Sequence, residues 1–69
     1  MAIFEYDKEV DAAYIYLQHP IKEGEAKKTI SLNENIILDF DKNERLIGVE
    51  VLKASRILNK KTLEEAKAT

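Results

Sequence analysis

Asp39, Asp41, Asn43 and Glu50 are the residues of this 69-residue chain whose types and spacing come nearest to a chemical site. They match the calcium-loop pattern D-x-[DN]-x-[DN]-G-x₅-E at every position but one. The exception is Glu44, which stands where such a loop needs glycine for its sharp turn, and the flanking segments read as strands where the loop needs helices. Strand alternation alone also aims Asp39 and Asp41 to one face, so the spacing arises without a metal. Asp39 and Glu50 permit a second chemistry, as diagonal neighbours roughly 7–8 Å apart on a polar sheet face. General acid–base work needs one carboxyl desolvated so that its pKa rises, and no aromatic cluster is expected beside them. Solvated sheet carboxylates are the plain alternative.

Other catalytic patterns find little material. His19 is the single histidine, next to Pro20 in a loop, and neither a Ser-His-Asp nor a Cys-His arrangement builds around it. Gly24 and Gly48 are the two glycines, too few for a phosphate loop. Lys60-Lys61 reads as a solvated linker. No cofactor is expected.

The elements that must position these residues are short. Ile3-Phe4-Glu5-Tyr6 and Ala12-Ala13-Tyr14-Ile15-Tyr16-Leu17 are β-branched and aromatic runs on either side of a polar turn, the pattern of a hairpin. A loop holding Pro20 and Gly24 follows. Three more strands are expected over residues 26–32, 36–41 and 46–52. The turn between the first two of these sets Asn35 as a left-handed residue. Thr62-Leu63-Glu64-Glu65 has the form of a capping box, predicting a short helix that starts at Thr62.

Register follows from the side chains, because a one-residue slip moves every apolar group of a strand to the wrong face. Pairing Phe40 with Ile47, Leu38 with Val49 and Ile36 with Val51 makes one face apolar, and Ile30 opposite Leu38 extends it. The other face then carries Thr29 across from Asp39, with Glu50 alongside, interrupted by Ile37, Leu46 and Leu52. If Phe4 pairs with Tyr14, then Phe4, Tyr6, Tyr14 and Tyr16 form one aromatic stripe. Such a stripe is core or interface, since tyrosine buries a large ring while its hydroxyl stays bonded. Tyr14, Tyr16, Ile37, Leu46 and Leu52 are the interface candidates.

Composition bounds the function. One domain spans residues 1–69, and a chain this short buries only about 60 % of its unfolded surface. With no cysteine, disulfides and thiolate zinc sites are excluded, which leaves self-association as the expected support and fits a reducing cytoplasm. The 11 Lys and Arg against 13 Asp and Glu lack the basic excess that draws nucleic acid. The first residues have neither a basic region nor a long apolar run, so no signal peptide or membrane span is expected.

Tyr6-Asp7-Lys8-Glu9-Val10-Asp11-Ala12-Ala13-Tyr14-Ile15 and Leu38-Asp39-Phe40-Asp41, followed by Ile47-Gly48-Val49-Glu50-Val51-Leu52-Lys53-Ala54-Ser55, resemble the prokaryotic family catalogued as domain of unknown function 2283. This chain has Glu44 where many relatives have a turn glycine, which implies that Asn43 takes the left-handed position, and it has Ala13 where leucine is common. The resemblance implies partners among small toxin-like proteins. The expected fold is α+β, an antiparallel meander of about five strands with a short C-terminal helical segment. The expected function is a non-enzymatic protein-interaction module, antitoxin-like in its specific form, assembled as a homodimer or larger homo-oligomer with a small protein partner and neither nucleic acid nor membrane. The alternative is a metal-dependent or hydrolytic site at Asp39, Asp41 and Glu50.

Overall fold

The computed structural model describes residues 3–68. The β-branched and aromatic runs become strands β1 (Ile3–Asp7), β2 (Ala12–Tyr16), β3 (Lys28–Ser31), β4 (Ile36–Phe40) and β5 (Leu46–Leu52). All neighbours among these five are antiparallel. β1–β2 forms one hairpin and β3–β4–β5 a meander, and pairing of β2 with β5 joins them. A two-residue strand, β6 (Lys67–Ala68), lies parallel to β1, so the order across the sheet is β3-β4-β5-β2-β1-β6. The short α-helices α1 (Ala54–Ile57) and α2 (Lys60–Glu64) lie between β5 and β6. None of the helices is long and apolar enough to cross a membrane.

The hydrophobic pattern holds through the meander, where Ile30 meets Leu38, Leu38 meets Val49 and Ile36 meets Val51. It fails at one pair: Phe40 lies opposite Leu46, because a bulge shifts the register between Asp39 and Phe40. The Ile47 carbonyl at this irregular point accepts from both Leu17 N and Gln18 N, at 2.9 and 3.1 Å.

The first hairpin departs further. Phe4 pairs with Ile15 and Glu5 with Tyr14, so Phe4 and Tyr6 point to one face while Tyr14 and Tyr16 point to the other. The stripe of four aromatics is therefore two pairs on opposite faces. The single-residue shift comes from the turn, which holds residues 8–11 and ends on Asp11 in the left-handed region at φ 55°.

Other turns differ from expectation for the same local reason. Asn33 Oδ1 accepts from Asn35 N and Ile36 N at 2.8 and 2.9 Å, so a side-chain turn replaces the left-handed Asn35. In the β4–β5 turn Glu44, at φ 61°, takes the left-handed position expected of Asn43. Its neighbours are fixed by Asp41 Oδ1, which accepts from Asn43 N and Arg45 N at 2.8 and 3.0 Å. The capping box also moves: Asn59 caps α2, accepting from Thr62 N at 2.8 Å, and Glu65 ends the helix.

The core sits on the face shared by Phe4, Tyr6, Ala13, Val49 and Val51. Ala13, Val51 and Ala54 are buried together, with Phe4, Tyr6, Val49, Leu58 and Leu63 packed around them. The C-terminal segment thus covers the half of this face over β1, β2 and β5. At the far end Ile30 and Leu32 remain 40 % and 64 % exposed.

Candidate functional site

Tyr14 stands at the centre of the other face, opposite Glu5 of β1 on one side and Glu50 of β5 on the other. Its ring leans across β5 over Gly48, where any Cβ would collide with the Tyr14 hydroxyl and ring. Position 48 therefore needs a residue without a side chain. Through that gap the Tyr14 hydroxyl donates to Asp39 Oδ2 at 2.7 Å, and Thr29 Oγ1 donates to Asp39 Oδ1 at 2.8 Å. Thr29 and Gly48 are the register partners of Asp39 on either side, so one hydrogen-bonded line crosses β3, β4, β5 and β2. Tyr14 packs edge-on against Tyr16 with ring centres 4.6 Å apart, and Tyr16 against His19 at 5.1 Å.

Burial, helped by the hydrogen bond to Asp39 and the negative charge around it, holds the Tyr14 hydroxyl far above the ordinary tyrosine range. Burial and then the Glu5 carboxylate raise Tyr16 as well. At neutral pH both hydroxyls keep their protons, and Tyr14 is a fixed donor. Each Asp39 oxygen thus accepts one hydroxyl, which holds the carboxylate in one orientation on the sheet.

The sequence candidates separate accordingly. Asp39 belongs to the tyrosine line, Asp41 shapes the β4–β5 turn, Asn43 is exposed in that turn, and Glu50 stands across from Tyr14. Among the described residues no three His, Asp or Glu side chains come together to hold a metal ion. Alternation brings Tyr14, Tyr16, Ile37 and Leu52 onto one face. Leu46 lies off that row, at the bulge opposite Phe40. The absence of aromatics beside Asp39 and Glu50, expected from the sequence, is corrected by the hairpin register that sets Tyr14 and Tyr16 there.

A second polar cluster has no counterpart among the sequence candidates. Asp11 accepts from the Tyr6 hydroxyl at 2.7 Å, from Ser55 N at 2.9 Å and from Ser55 Oγ at 2.7 Å, while its carbonyl accepts from Ala54 N at 2.9 Å. The Ser55 hydroxyl first, then Tyr6 and the Ser55 amide, hold the Asp11 carboxyl below the usual carboxylate range, and the bond to Asp11, then burial, pushes Tyr6 up. Asp11 therefore pins α1 to the first hairpin. Only the tolerance of aspartate for positive φ hinted at a special role in the sequence. Its Ser55 partner lies 44 residues away.

Residues 3–55 match the family model described as a protein of unknown function, DUF2283. The chain is 41 % identical over 56 residues to an uncharacterized protein of Methanocaldococcus jannaschii, an alignment covering 80 % of this chain and 43 % of that protein. The chain thus spans less than half the length of the curated relative it matches. No solved structure matches it. The matched segment runs from the start of β1 through Ser55 and contains both the Tyr14–Asp39 line and the Asp11 cluster, and on this match the chain belongs to the DUF2283 family of proteins of unknown function.

Proposed function

We propose that the protein is a non-enzymatic interaction module that presents the Tyr14 and Tyr16 face of its sheet to a protein partner. The observation that carries this reading is the fixed pose of Tyr14, laid over Gly48 and tied to Asp39. A ring held in one pose has little side-chain freedom left to lose on binding, and it buries area while its hydroxyl stays satisfied. Ile37 and Leu52 add apolar area on the same face. The hydrolytic or metal-dependent alternative at Asp39, Asp41 and Glu50 has less support, since Asp41 is engaged in a turn and Asp39 is tied to two hydroxyls.

Self-association belongs to the same proposal. Every residue of β3 is exposed at an open edge of the sheet, whereas β6 lines the other edge. An open edge offers unpaired backbone groups to a second copy, and a two-fold dimer is the commonest closed assembly. The resemblance noted from the sequence gives the specific form: an antitoxin-like role in the cytoplasm, with a small toxin-like protein as partner. The test uses immobilised parent protein and a Tyr16→Ala variant as baits in a lysate of the native host. A protein retained by the parent and lost by the variant supports the reading, and identical retention contradicts it.

A further inference from the structure

Resting on that reading, the geometry points to a cationic contact: a depression on the Tyr14 face receives the side chain of an arginine on a basic partner. The depression has a volume of about 250 Å³ and is bounded by Glu5, Asp7, Glu50, Tyr14, Val10 and the small residues Ala12 and Ala13. It exists because Tyr14 leans away toward Asp39 and Ala12 fills its own position with no more than a methyl group.

Three independent features fit an arginine. The first is charge. By alternation, β1 to β5 place Glu5, Asp7, Asp39 and Glu50 on this face and no lysine or arginine, since Lys28 lies on the other side with Ile30. Lys67 of β6 stands in register with Glu5. Among the described residues the ion pair is Lys28–Glu44, which involves none of these four carboxylates. The second feature is the ring. Glu5 and Glu50 flank Tyr14 on its two neighbouring strands, roughly 10 Å apart at a strand spacing of about 4.8 Å. A guanidinium beside the ring relieves their repulsion, gains the attraction of the ring and bonds carboxylates in a planar fork. The third is the rim. Val10 is 67 % exposed at the lip, an apolar seat for the aliphatic stem that carries such a group.

The probe is the peptide acetyl-Ala-Arg-Ala-amide, titrated into ¹⁵N-labelled protein at low salt, with the citrulline peptide as its uncharged counterpart. Expected are saturable amide shifts centred on Glu5, Asp7, Tyr14 and Glu50, at least about tenfold weaker affinity for citrulline, and a comparable loss in Glu50→Gln. The spectrum of the variant itself reports whether it is folded. Equal binding of both peptides at those residues overturns the cationic assignment and leaves the interaction face standing. Shifts spread evenly over carboxylates elsewhere, such as Glu23 and Glu34, or the absence of shifts, overturn the site altogether. The lysate test with Tyr16→Ala fails or succeeds separately, because it does not depend on the charge of the ligand.

Discussion

The Tyr14 hydroxyl reaches Asp39 Oδ2 at 2.7 Å by crossing the backbone of Gly48. The two residues belong to β2 and β4, which share no ladder, and β5 runs between them. One glycine thus lets side chains two strands apart bond directly, and the consequence can be measured. Gly48→Ala is expected to displace the ring, break the bond and destabilise the fold by about 1–3 kcal/mol, the range for a methyl forced into filled space. Tyr14→Phe, which removes only the hydroxyl, is expected to cost about 1 kcal/mol. Chemical denaturation of both variants checks the order. Equal stability of Gly48→Ala and the parent would mean that the ring does not lie over position 48.

The tyrosines also set the behaviour at high pH. Tyr14 is raised most, by burial and its bond to Asp39. A group with a folded-state pKa above its unfolded value near 10 contributes stability that is fully present below that value, and the contribution is lost as the pH rises through the folded pKa. Folding stability is therefore expected to fall above about pH 10, with phenolate absorbance appearing together with unfolding. Asp39→Asn removes the charge next to Tyr14 and is expected to bring its titration down toward the ordinary range. Titration of all three tyrosines near pH 10 in a still-folded protein is the contrary result.

Asp11 acts at the opposite end of the pH scale. Its carboxyl is lowered by Ser55 and Tyr6, so its contribution is present above the unfolded pKa near 3.9 and is lost as the pH falls through the folded value. Below about pH 4 the Ser55 amide is expected to exchange with solvent faster while the β4–β5 ladder stays protected. Asp11→Ala is expected to produce the same local opening at neutral pH and a lower melting temperature. Uniform exchange changes across the sheet would contradict the assignment of Asp11 as a local latch.

How far the fold could be read from sequence depended on whether neighbours along the chain decided the outcome. Leu38 opposite Val49 and Ile36 opposite Val51 were legible because alternation permits one register. Phe40 opposite Leu46 was not, because a bulge carries no signature in a run such as Leu46-Ile47-Gly48. The pattern alone puts Tyr14 on the face of Phe4, off by one residue of turn geometry, because Asp11 adopts positive φ where no glycine announces it. The site stays hidden for that reason and because the pairing of β2 with β5 has no local signature, so Asp39 and Glu50 are legible as neighbours but the Tyr14 ring beside them is not. The Asp11–Ser55 contact is tertiary, joining a turn to α1, a helix that the sequence pattern does not announce.

The two halves of the apolar face are expected to respond differently to charge. Val51 is 3 % exposed beneath the C-terminal segment, whereas Ile30 on β3 is 40 % exposed. Val51→Asp is expected to unfold the protein at room temperature, because an unpaired carboxylate there has no solvent. Ile30→Asp is expected to leave the monomer folded and to weaken self-association through the open edge. Circular dichroism and sedimentation on the same samples distinguish these outcomes. A parent protein that sediments as a folded 7.9 kDa monomer at all concentrations contradicts the self-association.

The working surface is tested most directly by affinity, measured by calorimetry between the purified partner and three proteins: the parent, Tyr16→Ala and Ile30→Ser. Tyr16 lies on the open face and Ile30 on the opposite one, so the pair separates the two surfaces within one fold. The expected result is at least about a tenfold loss for Tyr16→Ala, in line with truncation of an interface tyrosine, and unchanged affinity for Ile30→Ser. Full affinity in Tyr16→Ala together with its loss in Ile30→Ser would place the partner on the other side of the sheet and contradict the tyrosine face as the site of function.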